Sequence, residues 1–150
     1  MDYLTMWGRN DIDEIVPGLY GASYDPVEDE LKMDQLGITH ILSVTRFAQQ
    51  KLKDITYKQI QVDDSPTESI KPFFFEAIDF IEKAISGGGK VVVHCAAGIS
   101  RSATMVCAYL MWKNKWKADQ AIEFAQKQRP KFHPNTGFTA QLRSFEADVL

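Results

Sequence analysis

The densest chemistry in this chain lies in one run, His94-Cys95-Ala96-Ala97-Gly98-Ile99-Ser100-Arg101-Ser102. The spacing of Cys95 from Arg101 is weak by itself, because chance readily produces a cysteine and an arginine so placed. Its setting is more informative. Lys90-Val91-Val92-Val93-His94 is a continuous apolar run after three glycines, as for a buried central strand. Residues 102–112 are almost all apolar and read as a buried helix. A short loop between such elements turns its backbone N–H groups inward and makes an anion nest, here from Ala96, Ala97, Gly98, Ile99 and Ser100. The helix start adds partial positive charge. Arg101 adds a full charge on a planar fork that matches two phosphate oxygens. The loop is suited to a dianionic tetrahedral oxyanion. The same field stabilises a thiolate at Cys95, a nucleophile aimed at bound phosphorus. Gly98 permits close backbone approach or a positive φ. Ser102 can donate its hydroxyl toward the sulfur and stabilise it as a leaving group. His94 ends the buried strand and reads as a support orienting the cysteine loop, not as a base. The competing reading, a structural core thiol, does not account for His94, Gly98 and Ser102 falling together.

Cleaving a phosphate ester expels an oxyanion that needs a proton. Asp63-Asp64 supplies candidate acids. They stand before Ser65-Pro66-Thr67, a sequence that cannot continue the strand read over residues 57–62. Taken alone, the pair would be two solvated turn aspartates.

The remaining elements must bring these two loops together. Pro17-Gly18 is a turn, followed by a short strand over residues 19–22. Residues 28–36 read as a helix stopped by Gly37, and residues 38–44 as a strand. Pro72 opens a helix whose apolar face is Phe74, Ala77, Ile78, Ile81 and Ile85, ended by Gly87-Gly88-Gly89. Ala118, Ala121, Ile122 and Ala125 mark a further helix closed by Pro130. Asn135 caps a last one, with Phe138, Leu142, Phe145 and Val149 on its face. Strands alternate with helices, which predicts an α/β sheet flanked by helices. Reactive loops in such sheets lie at the carboxyl ends of strands, and the junctions after Val62 and His94 qualify.

The chain has 150 residues, 45% hydrophobic and 25% charged, which fits one folded domain. Residues 1–14 read as an N-terminal arm packed on a domain over residues 15–150. Seventeen basic against twenty acidic side chains give a net charge of −3, which argues against nucleic acid as a partner. No apolar run approaches a membrane span of about 18 residues, and no secretory signal is visible. Two cysteines are too few for a disulfide framework, which predicts a reduced, soluble protein, cytoplasmic or nuclear. His40, His94 and His133 are scattered without metal-ligand spacing, so no metal or cofactor is expected. Cys107, on the apolar helix, reads as a core thiol; a redox pairing with Cys95 needs a reach that spacing does not establish. Trp112, Trp116 and Phe73-Phe74-Phe75 read as packing residues. Lys113, Lys115 and Lys117 read as a solvated helix end, with docking of an acidic partner as the second reading.

The pattern HCxxGxxRS between an apolar strand and an apolar helix resembles the signature of the cysteine-dependent protein tyrosine phosphatase superfamily. Residues 36–145 resemble its dual-specificity phosphatases in particular. The similarity runs through Leu36-Gly37-Ile38-Thr39-His40-Ile41-Leu42-Ser43-Val44, Ala77-Ile78-Asp79-Phe80-Ile81, Ala108-Tyr109-Leu110-Met111 and Pro134-Asn135-Thr136-Gly137-Phe138. The resemblance implies that family's fold, with a central, mostly parallel, twisted sheet. It places the general acid on Asp64, counting back from Ala77-Ile78-Asp79-Phe80, with Asp63 as runner-up. It implies metal-independent hydrolysis of phosphotyrosine and phosphoserine or phosphothreonine in proteins through a phosphocysteine. The loop positions Ala96, Ala97, Ile99 and Ser100 carry no lysine, which disfavours inositol lipids. No segment matches the aromatic loop that deepens the pocket of longer tyrosine-specific enzymes, so a shallow pocket is implied. No kinase-docking or cysteine-rich zinc module is visible, as expected of a catalytic domain alone. Two rivals remain: a pseudophosphatase scaffold that binds phosphoproteins, and a phosphatase for a lipid, glucan or nucleotide.

Overall fold

The computed structural model describes residues 8–48, 50 and 52–150. Its five strands are β1 (Ile12–Val16), β2 (Leu19–Ala22), β3 (His40–Ser43), β4 (Thr56–Gln59) and β5 (Val91–His94). Its helices are α1 (Tyr24–Glu28), α2 (Glu30–Leu36), α3 (Phe74–Ser86), α4 (Arg101–Asn114), α5 (Ala118–Gln128) and α6 (Thr136–Val149), with a 3-10 turn at Lys71–Phe73 leading into α3. The sheet order is β1-β2-β5-β3-β4, antiparallel only between β1 and β2. The expected mostly parallel sheet flanked by helices is therefore what forms.

β5 is central and buried at every residue, as its unbroken apolar run requires. Its side chains alternate between two cores. Val91 and Val93 join Leu42 and the apolar faces of α3, α4, α5 and α6. Val92 joins Ile41, Tyr20, Val27 and Met33 under α1 and α2. Residues 102–111 of α4 are all buried, which explains why that helix is apolar on every side. Asn135 caps α6 as expected, its side chain accepting from the Phe138 amide at 2.8 Å. Among the described residues no helix is long and apolar enough to cross a membrane.

Three local expectations are corrected. The helix read over residues 28–36 is two helices, because Asp29 takes an extended backbone and caps α2, accepting from the Lys32 amide at 3.1 Å. Gly37 does close α2 at φ 73°. Residues 12–14, read as part of an N-terminal arm, belong to β1: Ile12 to Glu14 pair with Tyr20 to Ala22, while residues 1–7 of that reading lie outside the described residues. Asp13 and Glu14 hide this strand from a search for apolar alternation, because an edge strand tolerates charge. The strands read over residues 38–44 and 57–62 are shorter, at 40–43 and 56–59.

Parallel pairing sets Ala22, His94, Ser43 and Gln59 in one row across the carboxyl edge of the sheet. The segments that leave this row converge on the loop after β5.

Candidate active site

Residues 95–100 connect β5 to α4 and are shaped through their carbonyl groups. The Cys95 carbonyl accepts from His94 Nδ1 at 3.3 Å. The Ala96 carbonyl accepts from the Tyr24 amide at 3.1 Å, and that of Ile99 from the His133 amide at 2.6 Å. The Gly98 carbonyl accepts from Arg129 Nε at 3.1 Å. The Ser100 carbonyl takes both the amide and the hydroxyl of Thr104, at 3.0 and 2.8 Å. Carbonyls drawn outward at Cys95, Ala96, Gly98, Ile99 and Ser100 turn the N–H side of those peptide units toward the loop's interior. Among the described residues, no protein acceptor takes a hydrogen bond from the amides of Ala96, Ala97, Gly98, Ile99 or Ser100. A ring of N–H groups without protein partners is an anion nest.

Gly98 makes this path possible. Its φ is 69°, and a Cβ there would lie 2.7 Å from the Ala22 backbone and 2.5 Å from Arg129 Nη2. Both reasons for a glycine, positive φ and close approach, apply.

Cys95 lies on the floor of the loop, 2% exposed. Its Sγ is 3.3 Å from Oγ of Ser102, which is fully buried in the first turn of α4. Arg101 is half-buried beside them. Its Nη1 donates to the Val62 carbonyl at 3.1 Å and reaches Thr45 Oγ1 at 3.5 Å, while its buried Nε has no protein partner. One arginine thus joins the cysteine loop to the end of the segment carrying Asp63 and Asp64.

His94 is 2% exposed and sits between two loops. The Cys95 carbonyl can only accept, so Nδ1 carries the proton. Nε2 then accepts from Ser43 Oγ at 2.6 Å. The Tyr24 ring meets the imidazole edge-on, with centroids 5.7 Å apart. Burial lowers the His94 pKa from 6.5 to about 4, so the ring is neutral near neutral pH.

The two aspartates are placed differently. Asp63 grips Arg46 through both oxygens, at 2.6 and 3.1 Å, and the hydrogen bond from Arg46 holds its carboxyl below the usual range. Asp64 is exposed, and its Oδ1 accepts from Asn135 Nδ2 at 2.9 Å. The Asn135 backbone amide donates to Ser100 Oγ at 3.0 Å, so one residue ties Asp64, the cysteine loop and the start of α6 together. A Cβ at Gly137 would collide with the Pro66 carbonyl oxygen, so α6 packs against the acid loop without a side chain between them.

The structure therefore brings together His94, Cys95, residues 96–100, Arg101, Ser102 and Asp64. Sequence reasoning missed Ser43, Arg129 and the second and third roles of Asn135. Asn135 was legible only as a helix cap, and Arg129 only as the residue before a helix-ending proline. Cys107 is fully buried, its thiol pushed up to about 12 by desolvation, and both cysteines are free.

The family model of the dual specificity phosphatase catalytic domain matches residues 19–148. Dual specificity protein phosphatase 1-A of Xenopus laevis is 44% identical over 139 residues, covering 91% of this chain and 37% of that protein. The chain thus spans little more than a third of the length of that relative. Among solved structures, DUSP15 matches with a TM-score of 0.87 at 38% identity, covering 90% of this chain and 86% of the other. The human tyrosine phosphatase-like serine/threonine/tyrosine-interacting protein matches with a TM-score of 0.83 at 35% identity, covering 91% and 96%. A family match across nearly the whole chain, together with the loop it encloses, identifies the protein as a member of the dual specificity phosphatase catalytic domain family.

Proposed function

We propose that this chain is a metal-independent cysteine phosphatase that hydrolyses phosphotyrosine and phosphoserine or phosphothreonine in proteins. The observation that carries the reading is the loop itself. A buried thiol lies at hydrogen-bond distance from a serine hydroxyl, under a ring of unpartnered amides and beside an arginine whose buried Nε is also unpartnered.

The phosphoryl group binds to the amides of residues 96–100 and to Arg101, with phosphorus above Cys95. The thiolate attacks phosphorus, the P–O bond to the leaving group breaks, and Asp64 gives that oxygen its proton. The products are a phosphocysteine and the free hydroxyl of the substrate. Asp64, now a carboxylate, takes a proton from water as the water oxygen attacks phosphorus. The S–P bond breaks, and Ser102 donates to the departing sulfur. The amides and Arg101 stabilise the transition-state oxygens in both steps. His94 holds the loop: a ring neutral near pH 7, tied to Ser43 and to the Cys95 carbonyl, is a support and not a proton carrier. Asp63 is committed to Arg46 and depressed by it, which favours Asp64 as the acid.

Exposed Ala96, Ala97 and Ile99 at the loop tip give no cationic lining for a polyphosphorylated headgroup. That favours phosphoprotein over inositol lipid. Two unpaired thiols fit a reducing compartment, cytoplasmic or nuclear. The scaffold reading has one observation behind it, the similarity to a phosphatase-like interacting protein.

Phosphate release from matched phosphotyrosine and phosphothreonine peptides and from a phosphoinositide, with EDTA present and Cys95→Ser as control, tests the proposal. Release from both peptides, abolished in the variant, is the expected result. Tight peptide binding without release from wild type would favour the scaffold. Release from the lipid alone would overturn the substrate assignment.

A further inference from the structure

Arg129 is the largest fully buried side chain in the described structure, at 0% exposure, and nothing in the chemistry proposed above uses it. It follows α5 and precedes Pro130. Its guanidinium lies directly behind the phosphate loop. Nε donates to the Gly98 carbonyl at 3.1 Å. Nη1 reaches two carboxylates, Asp13 at 2.8 Å and Asp11 at 2.9 Å. Nη2 is buried without a partner and lies where a Cβ on Gly98 would collide with it. The group stands 5.5 Å from the centroid of the Phe132 ring, and Phe132 in turn abuts Gly21.

Burying an arginine is costly unless its donors are matched. This one leaves a donor unmatched, so its stabilising contribution is less than full pairing would give. What the arrangement does achieve is orientation. The other tied carbonyls of the loop are held by backbone amides, by an adjacent histidine or by the loop's own following helix. Gly98, the residue at positive φ, is the one whose carbonyl is held by a side chain from elsewhere in the fold. Asp13, on β1, and Asp11, just before it, fix the far end of the fork, and Lys131 steadies Asp11 at 2.9 Å.

We infer that Arg129 is a positioning residue for the phosphate loop: it holds the Gly98 carbonyl away from the nest, so that the neighbouring amides point at the transferred phosphoryl oxygens. This rests on the phosphate-loop reading given above. A planar fork pinned at both ends transmits direction; a point charge does not. Arg129→Lys therefore keeps the positive charge but loses the aim. Arg129→Met keeps most of the volume against Phe132 and leaves Asp11 with Lys131 and Asp13 half-exposed, so it removes the hold with a modest effect on folding.

The experiment compares wild type, Arg129→Lys and Arg129→Met for aryl phosphate turnover and for competitive inhibition by inorganic vanadate. It is run well below each protein's melting temperature, with active sites counted by thiol alkylation. Removing one donor of an oxyanion site costs about 10²–10³-fold, and misaiming one amide without removing it is expected to cost less, roughly tenfold. Vanadate affinity and kcat are expected to fall together by about that factor in both variants, with KM changed less. A merely structural role would lower the count of active sites and leave the vanadate constant unchanged. Vanadate affinity equal to wild type in a folded Arg129→Lys would overturn the inference. Wild type that neither binds vanadate nor turns over substrate would instead overturn the phosphate-loop reading.

Discussion

The neutral, buried state of His94 has a measurable consequence for stability. In the unfolded chain its imidazole titrates near 6.5; in the fold, burial lowers this to about 4. Between those values the unfolded state binds one more proton than the native state, so stability falls as pH falls. The contribution is complete above 6.5 and is lost progressively down to about 4. The full shift corresponds to about 3 kcal/mol, of which about 2 kcal/mol disappears between roughly pH 7 and pH 5. His40 is also lowered by burial and adds to the loss with the same sign. Asp11 and Asp63 have carboxyls held below their ordinary 3.8, so what they contribute is lost only at lower pH. The assay is urea unfolding at the two pH values, in buffers without phosphate or sulfate, because an oxyanion that binds the native loop would raise apparent stability. With a urea slope of about 2 kcal/mol per molar, the wild-type midpoint should fall by about 1 M. The decisive comparison is with His94→Gln, which retains His40 and can still bond Ser43. Its midpoint should move by much less. Equal shifts in the two proteins would refute the claim that His94 is buried neutral.

Three further outcomes follow from the geometry. Asn135→Ala should cost about 1 kcal/mol through the lost cap, and should also lower turnover of phosphothreonine peptide more than of an aryl phosphate, because it frees Asp64; calorimetry and paired kinetics measure the two effects. Gly98→Ala places a methyl group against the Ala22 backbone at φ 69° and should lower Tm by several degrees while abolishing vanadate binding. Iodoacetate near neutral pH should alkylate Cys95 alone in the native protein, with protection by phosphate, since the Cys107 thiol is buried and pushed up to about 12; native and denatured labelling read by mass spectrometry check this.

How much was legible in the sequence depended on how local each signal was. The strand over residues 91–94, the apolar helix α4 and the glycine at 98 could be read because a fully buried strand, an all-round buried helix and a positive φ each leave a compositional mark. Cys95, Arg101 and Ser102 lie within eight consecutive residues that span one short loop and the start of α4, so a single local motif was enough to bring them together. The choice between Asp63 and Asp64 was not forced by adjacency; it turns on Arg46 and Asn135, which come from other segments. β1 was hidden because Asp13 and Glu14 break its alternation, although Asp13 is one of the residues that holds Arg129. A buried arginine has no local signature, since its burial is decided by carboxylates more than a hundred residues away in the chain.

The central claim is that phosphate passes through Cys95. The most direct measurement is rapid acid quench of Asp64→Asn during turnover of an aryl phosphate, followed by peptide mapping of the trapped protein. A good leaving group lets the first step proceed without the acid, while loss of the base slows hydrolysis, so the intermediate should accumulate. The account predicts one phosphate on the peptide containing Cys95, lost in Cys95→Ser. Phosphate release from wild type with a covalent phosphate on any other residue would contradict it.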